Sequence, residues 1–408
     1  MVHFIDDSSS DAWFASIKEH PTLGREYRLM MQLLEVLLPT SSNKHGRRSR
    51  FGMAYQEVYG PSEYAAEVIH RRFKQCAARI RTEDERIVKE FFYPYEADLH
   101  AESRVRNTYD PESLLGYCNL GASDGLIDMQ ARVEAVARFI TSRLLLYADL
   151  HESEVDVGEQ EGVILAQLLP RLFVQECSLE TFLDLSLDRR AKWRIKDWSI
   201  DGRRLDGRIR LQERFLCRAF EIDGVNHPVY IEDRVKSDFS SILKMLRKNQ
   251  DMGKENDKRG VRMIVFSQKA FNEFVKALRS ELSRGRFQVI EESENISTAG
   301  KVDSNNPVSK EDFRVHRFVA EYADPGHSKY RVEVNVQFVD DYLNDRWSLS
   351  PARHELYRFE QLQRYFCPFR YPRFIHGIDW TPGSQFDQRM RTFMDYRRRA
   401  KVLARSAR

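Results

Sequence analysis

Apolar residues recur at three- and four-residue spacing through the first 150 positions. Tyr27, Met31, Leu34 and Leu38 follow this spacing, as do Val133, Val136, Phe139 and Leu144, the period of helices that bury one face. Polar or glycine-rich interruptions at 41–49, 116–125 and 151–162 divide this half into helices joined by loops. A further helical stretch is expected over 164–187 with a break at Pro170, then hairpin texture over 193–207 with Asp201-Gly202 as its tight turn. From position 229 strands and helices alternate: strand 229–235, helix 239–249, strand 261–266, helix 269–283, strand 287–291. Two more strands, 313–322 and 330–339, have no helix between them, so the sheet should be mixed with at least one antiparallel neighbour pair. The chain closes on helix-like segments after Asp340 and an arginine-rich stretch from 385 to 408.

This pattern predicts an α/β fold class in which a mixed β-sheet domain is preceded by a mostly helical N-terminal module. The expected division is a helical regulatory or recognition module over 1–190, a sheet domain over 191–370 and a basic C-terminal extension over 371–408. A length of 408 residues agrees with more than one hydrophobic core. With 42% apolar and 31% charged residues the composition is that of a folded globular protein rather than a disordered one. Net charge is only +3, so any basic site must be local. The run His45-Gly46-Arg47-Arg48-Ser49-Arg50 is read as a solvated loop. Acids at positions 6 and 7 argue against a secretory leader, and Arg143 and Asp149 break the richest apolar window, so no membrane partner is expected. Five scattered cysteines without a C-x-x-C pair point to reduced thiols and a cytoplasmic protein.

P-loop, dinucleotide-fingerprint and zincin motifs are absent. What the second half contains is Arg234-Val235-Lys236-Ser237-Asp238-Phe239-Ser240-Ser241-Ile242-Leu243-Lys244, where a strand runs into a helix. Arg234 and Lys236 leave the strand on one side and Ser240 and Lys244 share a helix face, so cations and hydroxyls gather near a helix start, a setting that suits phosphate. The competing reading is an ordinary solvated, amphipathic helix start. Farther on, Asp257 and Arg262 stand at the mouth of a buried strand and Glu333 interrupts a run of valines. A carboxylate in such a strand is costly to bury unless it is paired or binds a metal. Asp257 and Glu333 on neighbouring strands would suit Mg2+ shared with phosphate oxygens, the alternative being salt bridges to Arg262 and Arg331.

Taken in order, these segments resemble the synthetase domain of the RelA/SpoT family, which moves pyrophosphate between nucleotides. The residues that carry the resemblance are Arg234, Lys236, Ser237, Ser240 and Lys244, then Asp257, Gly260 and Arg262, then Phe313-Arg314, then Glu333, then His354 and Tyr357. It covers about residues 230–366. It implies a nucleotidyltransferase-like synthetase fold and a Mg2+-dependent pyrophosphokinase that transfers pyrophosphate from ATP to a ribose 3′-hydroxyl, as in the alarmones of the stringent response. Asp257 and Glu333 would be the catalytic, metal-binding pair. Arg234, Lys236, Ser237, Ser240, Lys244 and Arg262 would hold ATP, and Phe313, Arg314, His354 and Tyr357 would hold a guanine or adenine nucleotide acceptor such as GTP. Departures are a phenylalanine, Phe313, for the base-stacking tyrosine, Asp312 for a glycine, Asn335 for the glutamine of E-x-Q, and His316 one residue before the family's histidine.

Long family members add a hydrolase with a histidine-aspartate pair, and none of the 11 histidines here precedes aspartate. His70, His100 and His151 are therefore read as surface or capping residues. Toxin-type relatives modify the tRNA 3′ end, so the alternatives are a tRNA acceptor held by Arg389, Arg391, Arg397, Arg398, Arg399, Lys401 and Arg405, or a catalytically inactive protein that senses a nucleotide.

Overall fold

The structure, a computed structural model, describes residues 5–37, 47–62, 64–95, 99, 105, 107–119, 126–152, 171–174, 178–187, 193–200, 211–235, 238–248, 259–284, 287–295, 315–322, 330–347 and 354–406. The fold is mixed α/β with a helical N-terminal part, and its contacts divide the chain into two compact units. The helical unit comprises residues 1–152, 238–254 and 359–390; the sheet unit comprises 153–237, 255–358 and 391–408.

In the helical unit, α1 (Ser10–Glu19) starts where Ser9 Oγ accepts the Ala12 N–H at 3.2 Å, and it buries Trp13 and Ile17. It is followed by α2 (Pro21–Leu37), α3 (Arg47–Tyr59), α4 (Ala66–Phe91), α5 (Pro111–Cys118) and α6 (Leu126–Glu152). Along α4 the residues Ile69, Phe73, Cys76, Ile80, Ile87 and Phe91 form the buried stripe that helical periodicity demands, and Phe73 meets Phe139 of α6 at 5.0 Å between ring centroids. Arg47, read as part of a solvated loop, instead opens α3, because Phe51, Ala54 and Tyr55 recur at helical spacing and are buried. Gly52 admits α3 to the start of α4: a Cβ there would lie 2.0 Å from the Ala66 carbonyl oxygen. The strand-flanked helix α7 (Asp238–Lys248) belongs to this unit, with His20 Nε2 3.1 Å from the Leu246 carbonyl and Leu23 N–H donating to His20 Nδ1 at 3.2 Å.

Residues 359–390 return to the same unit. The Trp13 indole donates to the Pro368 carbonyl at 3.1 Å and stacks on Phe369, while Phe92 packs against Phe359, Trp380 and Phe386. Arg370 reaches Asp84 inside the unit.

The sheet unit holds eight described strands: β1 (Ser178–Leu187), β2 (Trp193–Ile200), β3 (Leu211–Ile222), β4 (Val225–Val235), β5 (Arg259–Val265), β6 (Phe287–Asn295), β7 (Val315–Tyr322) and β8 (Tyr330–Phe338), in the order β2-β1-β3-β4-β5-β8-β7-β6. All neighbours are antiparallel except β5 and β8, which run parallel. The mixed sheet and the antiparallel β7–β8 pair agree with the pattern of hydrophobic positions. One expectation is corrected. Residues 178–187, expected to be helical, are β1, because Leu179, Thr181, Leu183, Leu185 and Leu187 alternate with Glu180, Asp184 and Ser186 at the strand period. Asp223-Gly224, at φ 52° and 76°, joins β3 to β4 as a two-residue hairpin. Asp201-Gly202 lies outside the described residues.

Helix α8 (Gln268–Arg284) packs Phe271, Phe274, Leu278 and Leu282 on one face of the sheet, over Val229, Met263, Phe318, Val332, Val334 and Val336. The chain continues through α9 (Val339–Trp347), α10 (His354–Gln361), a π-helical turn (Leu362–Phe366), α11 (Cys367–Arg370), α12 (Arg373–His376) and α13 (Gln385–Ser406). Ser384 Oγ caps α13 by accepting the Asp387 N–H at 3.2 Å, and Asp387 answers by accepting the Gly383 N–H at 2.9 Å.

Candidate functional site

Strand β8 reads Val332-Glu333-Val334-Asn335-Val336-Gln337. Its valines enter the core under α8, so strand alternation sends Glu333, Asn335 and Gln337 to the opposite face. The parallel register sets Gly260 opposite Glu333, Arg262 opposite Asn335 and Ile264 opposite Gln337. Arg262 and Glu333, two residues predicted for the site, therefore share one face of adjacent strands. On the other flank β7 sets Arg317 opposite Asn335.

Glu333 is 9% exposed, and its charge is met by neighbours rather than by bulk water. Arg317 Nε donates to Glu333 Oε2 at 2.8 Å and Asn335 Nδ2 donates to Oε1 at 2.6 Å. The Arg317 fork extends further, Nη1 donating to Glu291 Oε1 at 2.7 Å. Arg262 Nη1 lies 3.4 Å from Glu232 Oε2, with its guanidinium 5.8 Å from the centre of the Tyr342 ring on α9. Gln337 is 1% exposed and its buried Oε1 has no hydrogen-bond partner among the described residues. The alternative of salt bridges from Asp257 and Glu333 to Arg262 and Arg331 is not met at Arg331, which pairs with Glu321 at 3.2 Å; Arg262 lies 3.4 Å from Glu232, and Asp257 is outside the described residues.

His316 lies on the other face of β7. It stands opposite Val336, its ring is 4.7 Å from Phe318, and Nε2 is 2.7 Å from Glu292 Oε1. Arg279 of α8 donates to both Glu292 oxygens at 3.1 Å, and this guanidinium, with His316 beside it, holds the Glu292 carboxyl below the usual carboxylate range.

Arg234 occupies the register position opposite Gly260 on β4. Ser240 and Lys244 are half-buried on α7, within the helical unit. His354 opens α10 and Tyr357, half-buried, follows one turn later. Lys236, Ser237, Asp257, Phe313 and Arg314 lie outside the described residues, as does His100. Arg389, Arg391, Arg397, Arg398, Arg399, Lys401 and Arg405 are all positions of α13, and Arg397 Nη2 is 3.6 Å from Glu355 Oε1. His70 lies within α4 at 5% exposure, its Nε2 3.1 Å from Oδ1 of Asp110, the N-cap of α5, so it is a buried partner of the capping carboxylate rather than a surface or capping residue.

Five residues at this face are absent from the sequence-based set: Glu232, Glu291, Arg317, Gln337 and Tyr342. The polar residue at every second position of β8 is a readable signal for Gln337; nothing local marks the others, of which Glu232, Glu291 and Arg317 are placed by register and Tyr342 by helix α9. Chemically the face presents an oriented carboxylate among guanidinium groups, a donor set suited to phosphate oxygens and to a hard divalent cation. Among the described residues no group of three or more His, Cys, Asp or Glu side chains is gathered as a metal site, and no helix is long and apolar enough to cross a membrane.

No family model matches the chain. No curated protein matches it either. Among solved structures it is similar to smu.1046c from Streptococcus mutans UA159, at 19% identity and a TM-score of 0.23, over 43% of this chain and 81% of that one.

Proposed function

We propose that the protein is a nucleotidyltransferase-like synthetase of the RelA/SpoT type, transferring pyrophosphate from ATP to the ribose 3′-hydroxyl of a guanine or adenine nucleotide. The observation that supports this most is the parallel β5–β8 register, which brings Arg262 and Glu333 to one face of adjacent strands. In the proposed reaction the acceptor oxygen attacks the β-phosphorus of ATP, the bond from that phosphorus to the α,β-bridging oxygen breaks, and AMP leaves. Glu333 carries the carboxylate that takes the hydroxyl proton or joins Asp257 in holding Mg2+, whose hard-oxygen preference its side chain fits. Bound Mg2+ would offset the charge of the triphosphate. Arg262 and Arg234 are proposed to neutralise phosphate oxygens as charge shifts to the leaving AMP. Ser240 and Lys244 lie in the helical unit and take no part in this account.

One observation favours a nucleotide sensor without transferase activity. His316 packs on the α8 face, and Arg317, at the position where the resemblance puts histidine, is engaged by Glu291 and Glu333. Purified protein with ATP, Mg2+ and GDP, GTP, ADP or tRNA, assayed for AMP release, separates the two. AMP release that depends on one acceptor is expected, and Asp257→Ala should abolish it with an unchanged circular dichroism spectrum. Nucleotide binding with no AMP from any acceptor would instead establish the sensor. An unfolded Asp257→Ala would make Asp257 a structural ion-pair residue.

A further inference from the structure

We infer that Arg317 is a positioning residue for Glu333, anchored from the far side by Glu291; as a role in transfer this rests on the proposed pyrophosphotransferase activity. A guanidinium is planar, so engaging Nε and Nη1 at once fixes the plane of the whole group. Here Nε donates to Glu333 on β8 and Nη1 to Glu291 on β6, which ties three strands together through one side chain. The opposite Glu333 oxygen is held by Asn335. With donors on both oxygens, the Glu333 carboxylate is held in a single orientation.

The backbone is arranged for this contact. A bulge lies between Val289 and Glu291: Val289 stands opposite Ala320 and Glu291 opposite Val319. Regular alternation from Val289 would set Glu291 opposite Phe318 and send it to the α8 face. The extra residue turns Glu291 to the face of Arg317 and leaves Glu292 to serve His316. Bulge, arginine and asparagine thus converge on the same carboxylate.

Residues that orient a reacting group rather than touch substrate typically change turnover by about 10–100-fold when removed. Arg317→Ala is therefore expected to lower kcat by about that factor with KM for ATP held within about two-fold, the signature of a group that acts on the transition state rather than on uniform binding. Arg317→Lys keeps the charge but cannot fork, and should recover part of the loss. Glu291→Gln should lower kcat in the same direction by less. The independent readout is the 13C resonance of the Glu333 carboxyl carbon, assigned by its loss in Glu333→Gln, which should move in both Arg317→Lys and Glu291→Gln. If Arg317→Ala does not fold, the lysine and glutamine variants carry the test. Wild-type kcat in all three variants, or a raised KM with unchanged kcat, would overturn the inference, as would a static Glu333 resonance in an active enzyme. A wild type that releases no AMP while the resonance still moves would defeat the transferase activity and leave Arg317 as the residue that orients Glu333.

Discussion

Arg370→Met should destabilise the helical unit strongly, and the reason is the acid it strands. Arg370 Nε and Nη2 each lie 2.9 Å from Asp84 Oδ2, and Nη2 is 3.5 Å from Glu134 Oε1. The Arg370 and Asp84 side chains are 5% and 6% exposed. Burial alone would push the Arg370 guanidinium down, but Asp84 and Glu134 outweigh it and push its pKa up. Methionine has a similar length and leaves little cavity, so the cost is electrostatic. Glu134 keeps Arg138 at 2.7 Å, whereas Asp84 loses its cation while its Oδ1 already has no hydrogen-bond partner among the described residues. Removing one partner of a buried pair costs about 3–5 kcal/mol, which at about 1.4 kcal/mol per decade is roughly two to four orders of magnitude in the opening equilibrium.

Hydrogen exchange of peptides spanning 80–91 and 359–372 reads that equilibrium directly, and both should exchange faster in Arg370→Met by that factor. Asp84→Leu combined with Arg370→Met removes both charges, and replacing a buried pair by apolar side chains is often neutral or stabilising by about 1–4 kcal/mol. The double variant should therefore regain much of the lost protection. Acceleration below about tenfold, or a double variant as labile as the single, would refute the electrostatic account and make Arg370 a packing residue.

Asp7 accepts the Arg373 N–H at 3.1 Å, and burial raises its carboxyl from 3.8 to about 6. A raised acid binds its proton more tightly in the folded state, so its contribution is full below pH 3.8 and is lost as pH rises through 6. Asp7→Asn keeps an acceptor oxygen and never ionises; its stability advantage in urea titrations should grow between pH 4 and 6 and then level, and parallel pH profiles would contradict this. For the tRNA alternative, the informative truncation ends at Tyr396, which removes Arg397, Arg398, Arg399, Lys401 and Arg405 and keeps Phe386, which packs on Phe92 and Trp380 in the helical unit. That protein keeps Arg389 and Arg391, and should show a shallower fall of tRNA affinity between about 50 and 200 mM salt while still binding ATP; an unchanged salt slope would place any RNA contact off residues 397–408.

Much of the sheet was legible because strand and helix periods differ. The elements after 229 and the antiparallel β7–β8 pair follow from alternation and from the absence of a helix between two strands. What periodicity does not contain is the surface each element meets. The buried stripe Ile242, Leu243, Met245 and Leu246 predicts that α7 hides one face, yet its contact with His20 joins residues 226 positions apart, a distance no local pattern spans. Strand β1 escapes the helical expectation for the opposite reason: its leucines are dense enough to suit either period, and Glu180, Asp184 and Ser186 decide the matter only when counted by twos.

The candidate site shows how narrow that margin is. Arg331 lies two residues from Glu333 and on the same face, so along the chain it is the natural partner, but the antiparallel ladder sets it opposite Glu321, which takes it. Glu333 is then met by an arginine 16 positions away, chosen by register alone. On β7 a histidine and an arginine stand side by side, and alternation allows only one of them to face Glu333. The structure assigns that place to Arg317 and sends His316 to Glu292. A one-residue displacement is minor in a loop, whereas in a strand it exchanges the two faces. The chemistry available beside Glu333 is therefore that of a guanidinium, which orients and neutralises, instead of an imidazole, which can carry a proton.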